Sequence, residues 1–266
     1  MVKVGVFGNV HAEGFQEALK KIRHLWGENA LLCKEIGGPY DQSYINRNAQ
    51  FIISLGGDGT LLKAVARFTK PLIGVNLGKL GFLTYFQVED LPIIKIALEE
   101  KKYYLDRREK LCLWYRDKTY YALNDFYVNP VSGTALNITV RRKETLITHF
   151  YGDGIIISSP TGSTAYNLSA GGPIVHPRVK AFILTPLCPH NLSARPLVLP
   201  KGELIEVEVV PRGTGKWILS GDGMKLMEFD GPDSFKVELS DRRASLVRLD
   251  ITKDFFDILR EKLNWK

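Results

Sequence analysis

A chain of 266 residues holds one large domain or two modest ones, and at this length roughly 70–75% of the unfolded surface can be buried, so the core needs no disulfide or metal staple. Its 45% hydrophobic and 24% charged residues are those of an ordinary soluble globule, and Cys33, Cys112 and Cys188 form no CxxC pair, which argues against a zinc site or disulfide framework and for a reducing cytoplasm. A net charge of +7 favours acidic partners such as nucleotides or polyphosphate, yet the basic residues are scattered, which speaks against nucleic acid, and no apolar run nears the ~18 residues a membrane span needs.

The chain opens directly into a strand, Val2 to Phe7, with no N-terminal signal. Gly14 to Trp26 carries apolar residues at helical spacing (Phe15, Ala18, Leu19, Ile22, Leu25), and Ala30 to Cys33 reads as a second strand. Gly37-Gly38-Pro39 breaks it, and a polar loop is expected next. Phe51 to Leu55 and Leu72 to Val75 read as strands, with Leu61 to Phe68 and Leu91 to Lys101 as helices. Strand–helix alternation argues for a parallel sheet covered on both faces. Around Tyr103–Arg108 the character changes. From Lys110 to about Leu249 the segments become short, β-branched and aromatic, including Ser234 to Leu239 and Ala244 to Leu249 as two strands, which predicts a mainly-β domain. Asp254 to Leu263 is helical again and is expected to pack on the first domain.

Three polar clusters interrupt this pattern. Gly56-Gly57-Asp58-Gly59-Thr60 joins a buried strand to a helix. Bare amides at a helix N-terminus suit a phosphate, while Asp58 there calls for a metal ion between or a proton to take. The same residues could also form a plain turn with Asp58 or Thr60 as N-cap. Asn124-Asp125 offers an amide and a carboxylate able to hold ribose hydroxyls or the amino edge of a base, or a simple Asx turn. The third cluster, Asp153 to Pro177, is dense in Ser, Thr and Gly and suits close approach by a polar ligand, with Tyr166 offering a stacking face. Lys63 could reach a phosphate or simply be solvated; His176 beside prolines reads as structural; Asp222-Gly223 most simply makes a hairpin turn.

In this order and spacing the clusters resemble the NAD kinase family (ATP- or polyphosphate-dependent). The residues that carry the likeness are Gly56–Thr60, Gly74-Val75-Asn76-Leu77-Gly78-Lys79-Leu80-Gly81-Phe82-Leu83, Leu123-Asn124-Asp125, Asp153 through Pro177, and Leu192-Ser193-Ala194-Arg195-Pro196-Leu197. The most specific part is Thr161-Gly162-Ser163-Thr164-Ala165-Tyr166 with Gly171-Gly172-Pro173, since the Gly-Gly-Asp-Gly turn also recurs in phosphofructokinases and lipid kinases.

The resemblance implies transfer of the γ-phosphate of ATP, or of polyphosphate, to the 2′-hydroxyl of the adenosine ribose of NAD, giving NADP. It implies an α/β N-terminal domain (Rossmann-like, parallel sheet; 1–105 plus 250–266) carrying the turn. A mainly-β, β-sandwich-like domain (106–249) would bind NAD and support a homodimer or homotetramer, and the C-terminal helix would return to the first domain. By motif position Asp58 would be the catalytic base or orient the hydroxyl. Gly59, Lys63, Phe82, Asn124, Asp125, Asp153, Thr161, Thr164, Ala165, Tyr166 and Ser169 would line NAD with it. Gly56, Gly57, Gly59, Thr60 and Asn76 would face the phosphate donor. Mg²⁺ or another divalent cation would ride on the phosphates rather than on protein side chains. The family more often has Glu where Asp125 stands. The rival readings are a diacylglycerol-kinase-like lipid kinase and a non-catalytic NAD-binding sensor. Asp58→Asn is expected to spare NAD binding and lower NADP formation by orders of magnitude.

Overall fold

The structure, a computed structural model, describes residues 1–78, 81–191 and 193–264. Lys79, Leu80 and Leu192, which fall in two of the motifs above, lie outside the described residues, as do Trp265 and Lys266. Contacts divide the chain into two compact units, Met1–Arg107 with Ala244–Lys266, and Arg108–Arg243.

In chain order the first unit contains β1 (Val4–Gly8), α1 (Phe15–Trp26), β2 (Ala30–Leu32), α2 (Gln42–Asn48), β3 (Phe51–Leu55), α3 (Asp58–Arg67), β4 (Leu72–Asn76), β5 (Phe86–Gln87) and α4 (Leu91–Glu100). The strand β6 (Tyr104–Tyr115) crosses into the second unit, which continues with β7 (Lys118–Ala122), β8 (Asp125–Pro130), β9 (Leu136–Arg142), β10 (Thr145–Gly152) and β11 (Gly154–Ser158). The short helix α5 (Tyr166–Ser169) precedes β12 (Ala181–Leu187), β13 (Leu197–Pro200), β14 (Ile205–Pro211), β15 (Lys216–Gly221) and β16 (Met224–Asp230). The long strand β17 (Asp233–Arg248) leads back to the first unit, where α6 (Phe255–Leu263) ends the described chain.

The first unit is α/β with a parallel sheet. Its strands run in the order β2-β1-β3-β4, with β5 and the last residues of β17 beside β4. Every residue of β3 and β4 is buried, as expected of strands covered on both faces. On α1 the residues Phe15, Ala18, Leu19, Ile22 and Trp26 form the buried stripe. The chain places β2 on one side of β1 and β3 on the other, so the strand order reverses there. In such sheets ligands bind at the carboxyl ends of the strands at that reversal. The loops after β1 and β3 meet at this point: the Asn9 N–H donates to the Leu55 carbonyl at 3.0 Å.

The second unit is mainly β and antiparallel. One set of strands follows the order β10-β9-β14-β17, joined by β6 and β7, and a six-stranded sheet follows β13-β12-β11-β8-β15-β16. Inward residues of both sheets share one core, with Leu113, Ile138, Phe150, Val207 and Val237 facing Phe126, Ile157, Phe182, Trp217 and Leu219. Trp217 stacks on Phe229 at 3.9 Å between centroids and donates its indole N–H to the Gly231 carbonyl at 2.8 Å.

Several elements differ from the sequence expectation for identifiable reasons. The expected polar loop after Pro39 contains α2, capped by Asp41, whose carboxylate accepts the Tyr44 N–H at 2.7 Å. Only Ile45 of that helix is buried, so its sequence carries no apolar stripe. The two strands expected over Ser234–Leu239 and Ala244–Leu249 are one, because exposed Asp241-Arg242-Arg243 keeps an extended backbone where its charge suggests a turn. The charged hairpin strand β16 and the exposed β13 lie outside the expected strands. The Ser- and Thr-rich stretch forms a single 3₁₀ turn, Gly162–Thr164, followed by the short helix α5.

Candidate active site

The turn after β3 begins with Gly56, whose φ of +142° favours glycine and whose added Cβ would lie 2.5 Å from Thr60 Oγ1. The N-cap of α3 is Gly57, with no side-chain cap, and not Asp58 or Thr60. The first N–H groups of a helix have no intrahelical acceptor, so this terminus is left open to an anion. At Gly57 and Gly59 an added Cβ would meet nothing within 4 Å. Internal packing therefore does not demand glycine there, whereas a ligand approaching the backbone would.

Asp58 is tied to the end of the Gly74–Leu83 motif and to Thr84, which follows it. Its Oδ2 accepts the Phe82 N–H at 2.7 Å, and its Oδ1 accepts the Leu83 N–H at 3.1 Å, the Thr84 N–H at 3.0 Å and the Thr84 hydroxyl at 3.0 Å. Gly81 makes room for this, since a Cβ there would fall 2.0 Å from Asp58 Oδ1. Thr84 Oγ1 also accepts the Asn76 amide at 2.9 Å and the Gly81 N–H at 3.2 Å, while Asn76 Oδ1 accepts the Gly78 N–H at 2.8 Å. The buried Asn76 side chain thus uses both ends within this loop. A carboxylate has about four acceptor positions, two on each oxygen. With three donors on Oδ1 and one on Oδ2, the remaining capacity of Asp58 lies on Oδ2. Phe82 is half-buried and Lys63 is exposed on α3.

In the second unit Asn124 and Asp125 lie at the start of β8. The Asn124 Oδ1 is buried without a hydrogen-bond partner, a condition shared among the described residues only by Ser54 Oγ and Thr134 Oγ1. Such an acceptor costs about 1–3 kcal/mol until a donor reaches it. Asp125 is buried, and burial pushes its carboxyl up to about 7, with the Asp222 charge adding to the effect. Asp222 forms the β15–β16 turn with Gly223, at φ of +49° and +76°, so the hairpin reading of Asp222-Gly223 holds. Its carboxylate does more than turn the chain. It accepts the N–H groups of Leu123 at 2.8 Å, Asn124 at 2.7 Å and Asp125 at 3.3 Å. Burial raises the Asp222 carboxyl too, opposed by those three N–H groups and by Lys110. Burial in turn lowers the Lys110 ammonium.

The Ser- and Thr-rich stretch has two roles. Much of it is internal bracing. Ser159 Oγ donates to the Leu123 carbonyl at 2.5 Å, the Ser159 N–H donates to the Asn124 carbonyl at 2.8 Å, and a Cβ at Gly162 would lie 2.2 Å from that same carbonyl oxygen. Ser163 donates to the Pro160 carbonyl at 2.7 Å, and Asn167, fully buried, links Ser163, Pro173 and Thr185. Buried Thr161 accepts from Arg108 at 3.4 Å, whereas Thr164 and Ala165 are half-buried and Ser169 is exposed. Tyr166 is 42% exposed and meets Tyr127 edge-on at 5.2 Å. Burial raises its phenol, followed by the charges of Tyr127, Cys188, Asp125 and Asp153, so these groups share one neighbourhood. Asp153 is exposed and accepts the thiol of Cys188, which holds that thiol above its usual range.

Within the first unit the structure therefore joins Asp58 to the Phe82 segment and Asn76. Within the second it gathers Asn124, Asp125, Asp153 and Tyr166. Thr84, Asp222, Tyr127 and Cys188 were missed by sequence reasoning. Thr84 follows the Gly74–Leu83 motif directly, and that adjacency was its one signal. Among the described residues no group of three or more His, Cys, Asp or Glu side chains could hold a metal ion.

The second unit and the first each match a family model. Residues 123–249 match the ATP-NAD kinase C-terminal domain and residues 41–103 the ATP-NAD kinase N-terminal domain. The NAD kinase of Campylobacter jejuni strain 81-176 is 38% identical over 226 residues, covering 82% of this chain and 77% of its own. That of Wolinella succinogenes is 33% identical over 280 residues, covering 99% and 95%. A crystal structure of yeast NADH kinase complexed with NADH superposes with a TM-score of 0.87 at 24% identity, covering 100% of this chain and 88% of that one, which is a likeness of fold. Both domain models and relatives matched across most of their length lead to one assignment: this chain belongs to the NAD kinase family.

Proposed function

We propose that this protein transfers the γ-phosphate of ATP, or a terminal phosphate of polyphosphate, to the 2′-hydroxyl of the adenosine ribose of NAD. In that reaction the 2′-oxygen bonds to the γ-phosphorus, the bond from that phosphorus to the bridging oxygen breaks, ADP departs and the hydroxyl proton is released. The observation that carries the reading is the unpartnered buried Asn124 Oδ1 beside the buried Asp125 carboxylate. Two acceptors turned away from water call for ligand donors, which ribose hydroxyls or the adenine amino group supply. Tyr166 offers an exposed ring and Asp153 an exposed carboxylate near the same place. Phe82 would flank the adenine, and Thr161, Thr164, Ala165 and Ser169 would line the rest of the dinucleotide.

Asp58 acts by orientation in this reading. Four hydrogen bonds fix its carboxylate, and Oδ2 keeps one acceptor position for the ribose hydroxyl. A loose phosphoryl-transfer transition state asks mainly for positioning and charge neutralisation, so a strong base is not required. The amides of Gly57 and Gly59 at the start of α3 would take the donor phosphates, with Lys63 one turn on. The side-chain set suits a divalent cation carried on those phosphates, because the described residues hold no acidic cluster and Asp58 is already engaged. When bound, Mg²⁺ would neutralise phosphate charge. A cytoplasmic homodimer or homotetramer is part of the proposal. The test is NADP formation from NAD with ATP or polyphosphate and Mg²⁺. NAD binding without NADP from any donor would favour the sensor reading, and phosphate transfer to diacylglycerol but not NAD would favour a lipid kinase.

A further inference from the structure

We propose that Asp222 is a positioning residue for the dinucleotide site: from the tip of the β15–β16 hairpin its carboxylate fixes the backbone of Leu123–Asp125 and so aims the Asn124 amide oxygen and the Asp125 carboxylate at the ligand. The inference rests on the reading of Asn124 and Asp125 as NAD contacts given above.

The contact is reciprocal. The Asp222 N–H donates to the Asp125 carbonyl at 3.0 Å, while the Asp222 carboxylate receives three consecutive backbone N–H groups from residues 123 to 125. A hairpin turn of this type needs only Asn-Gly or Asp-Gly at its centre. The turn therefore does not explain an acid, but three converging N–H donors do, since a carboxylate accepts on both oxygens and donates on neither. Beneath the other face of the turn segment, Ser159 holds the Leu123 carbonyl and Gly162 closes on the Asn124 carbonyl. The backbone of 123–125 is thus gripped on both its N–H and its C=O sides, and the Asn124 side chain is left with its oxygen unpartnered.

Asp222 also sets the electrostatics. The groups facing Asp125 are Asp222 from the hairpin turn and Tyr166 from α5, with Lys110 of β6 facing Asp222 and Arg242 of β17 near Lys110. Three N–H donors and Lys110 favour the charged Asp222 carboxylate, and that charge, after burial, pushes the neighbouring Asp125 carboxyl up.

The experiment compares Asp222→Asn, Asp222→Glu and Asn124→Ala with the wild-type full-length protein, measuring kcat, KM for NAD and KM for ATP across pH. Asn preserves the turn chemistry but presents an NH₂ group to a backbone N–H. Glu keeps the charge and displaces it by one methylene. Both are expected to raise KM for NAD about tenfold or more while KM for ATP and kcat stay within about twofold, and Asp222→Asn combined with Asn124→Ala is expected to be clearly non-additive. The pH midpoint of 1/KM for NAD should move down in Asp222→Asn, where a negative neighbour of Asp125 is lost, and stay near wild type in Asp222→Glu. If Asn124→Ala raises KM for NAD and a folded Asp222→Glu or Asp222→Asn does not, the positioning role is overturned. If Asn124→Ala also leaves KM for NAD unchanged, the reading of the NAD site itself fails. Should Asp222→Asn not fold, the Glu variant decides alone.

Discussion

Asp58 and Asp125 are both half of a contradiction: each is a carboxylate where a carboxylate is costly. For Asp58 the resolution is geometric, since four donors from Phe82, Leu83 and Thr84 hold it. The consequence is that Asp58→Asn is not a silent probe of chemistry. An amide nitrogen must face either the Phe82 N–H or the donors on Oδ1, so the substitution disturbs the Phe82 segment as well as the hydroxyl contact. Its expected effect is a loss of NADP formation by orders of magnitude together with a loss of roughly 1–3 kcal/mol of stability in denaturant unfolding. Unchanged stability would show that the Phe82 segment is held by other means. For Asp125 the resolution is protonation. Its folded pKa is raised to about 7, above the ordinary carboxylate value, so the folded state retains a proton that the unfolded chain has already lost. Stability from this group is therefore fully present below pH ~4 and falls as pH rises towards 7. Hydrogen-bond donors of NAD prefer the ionised form, so KM for NAD should fall as pH rises through that window. A pH profile of 1/KM flat from 5 to 8 would contradict this.

At the scale of elements, two loops do the positioning, and each depends on a glycine with an internal reason. Gly81 leaves space for the Asp58 carboxylate, so Gly81→Ala should cost about 1–3 kcal/mol by overpacking and raise KM for NAD, as read by thermal unfolding and steady-state kinetics. A fully stable, fully active Gly81→Ala protein would contradict this close packing of Gly81 on the Asp58 carboxylate. How far these elements were legible in the sequence follows from what kind of signal each carries. The parallel strands β1, β3 and β4 are continuous apolar runs, and α1 has its stripe, so pattern alone finds them. The helix α2 buries one residue and rests on a cap, and β17 stays extended through three exposed charged residues, so both evade a reading based on apolar period. The clusters around Gly56, Asn124 and Asp153 stood out because small and polar residues there break the pattern. Asp222 did not, because Asp-Gly is an ordinary hairpin turn and its second role depends on Leu123–Asp125 lying a hundred residues earlier in the chain. Thr84 was likewise hidden by its position after a motif already accounted for by its glycines.

For the whole molecule, the described chain provides two units with separate cores and no helix among the described residues long and apolar enough to cross a membrane. In the second unit Trp217 of one sheet meets Phe235 of the other at 6.4 Å between centroids within the shared core, so Trp217→Ala should destabilise that unit by about 3–5 kcal/mol in equilibrium unfolding. An effect below about 1 kcal/mol would mean the shared core is not what holds that unit. The proposed self-association has a physical motive in β13, an edge strand whose Leu197 and Val198 are exposed. Light scattering should therefore report a dimer or tetramer, and a monomer at micromolar concentration would contradict it. The most direct measurement of the central claim is incubation of the purified full-length protein with NAD, ATP and Mg²⁺, with the product's phosphate located by ³¹P NMR. The account predicts phosphate on the 2′-oxygen of the adenosine ribose; bound NAD with no phosphorylated dinucleotide from either ATP or polyphosphate would contradict it.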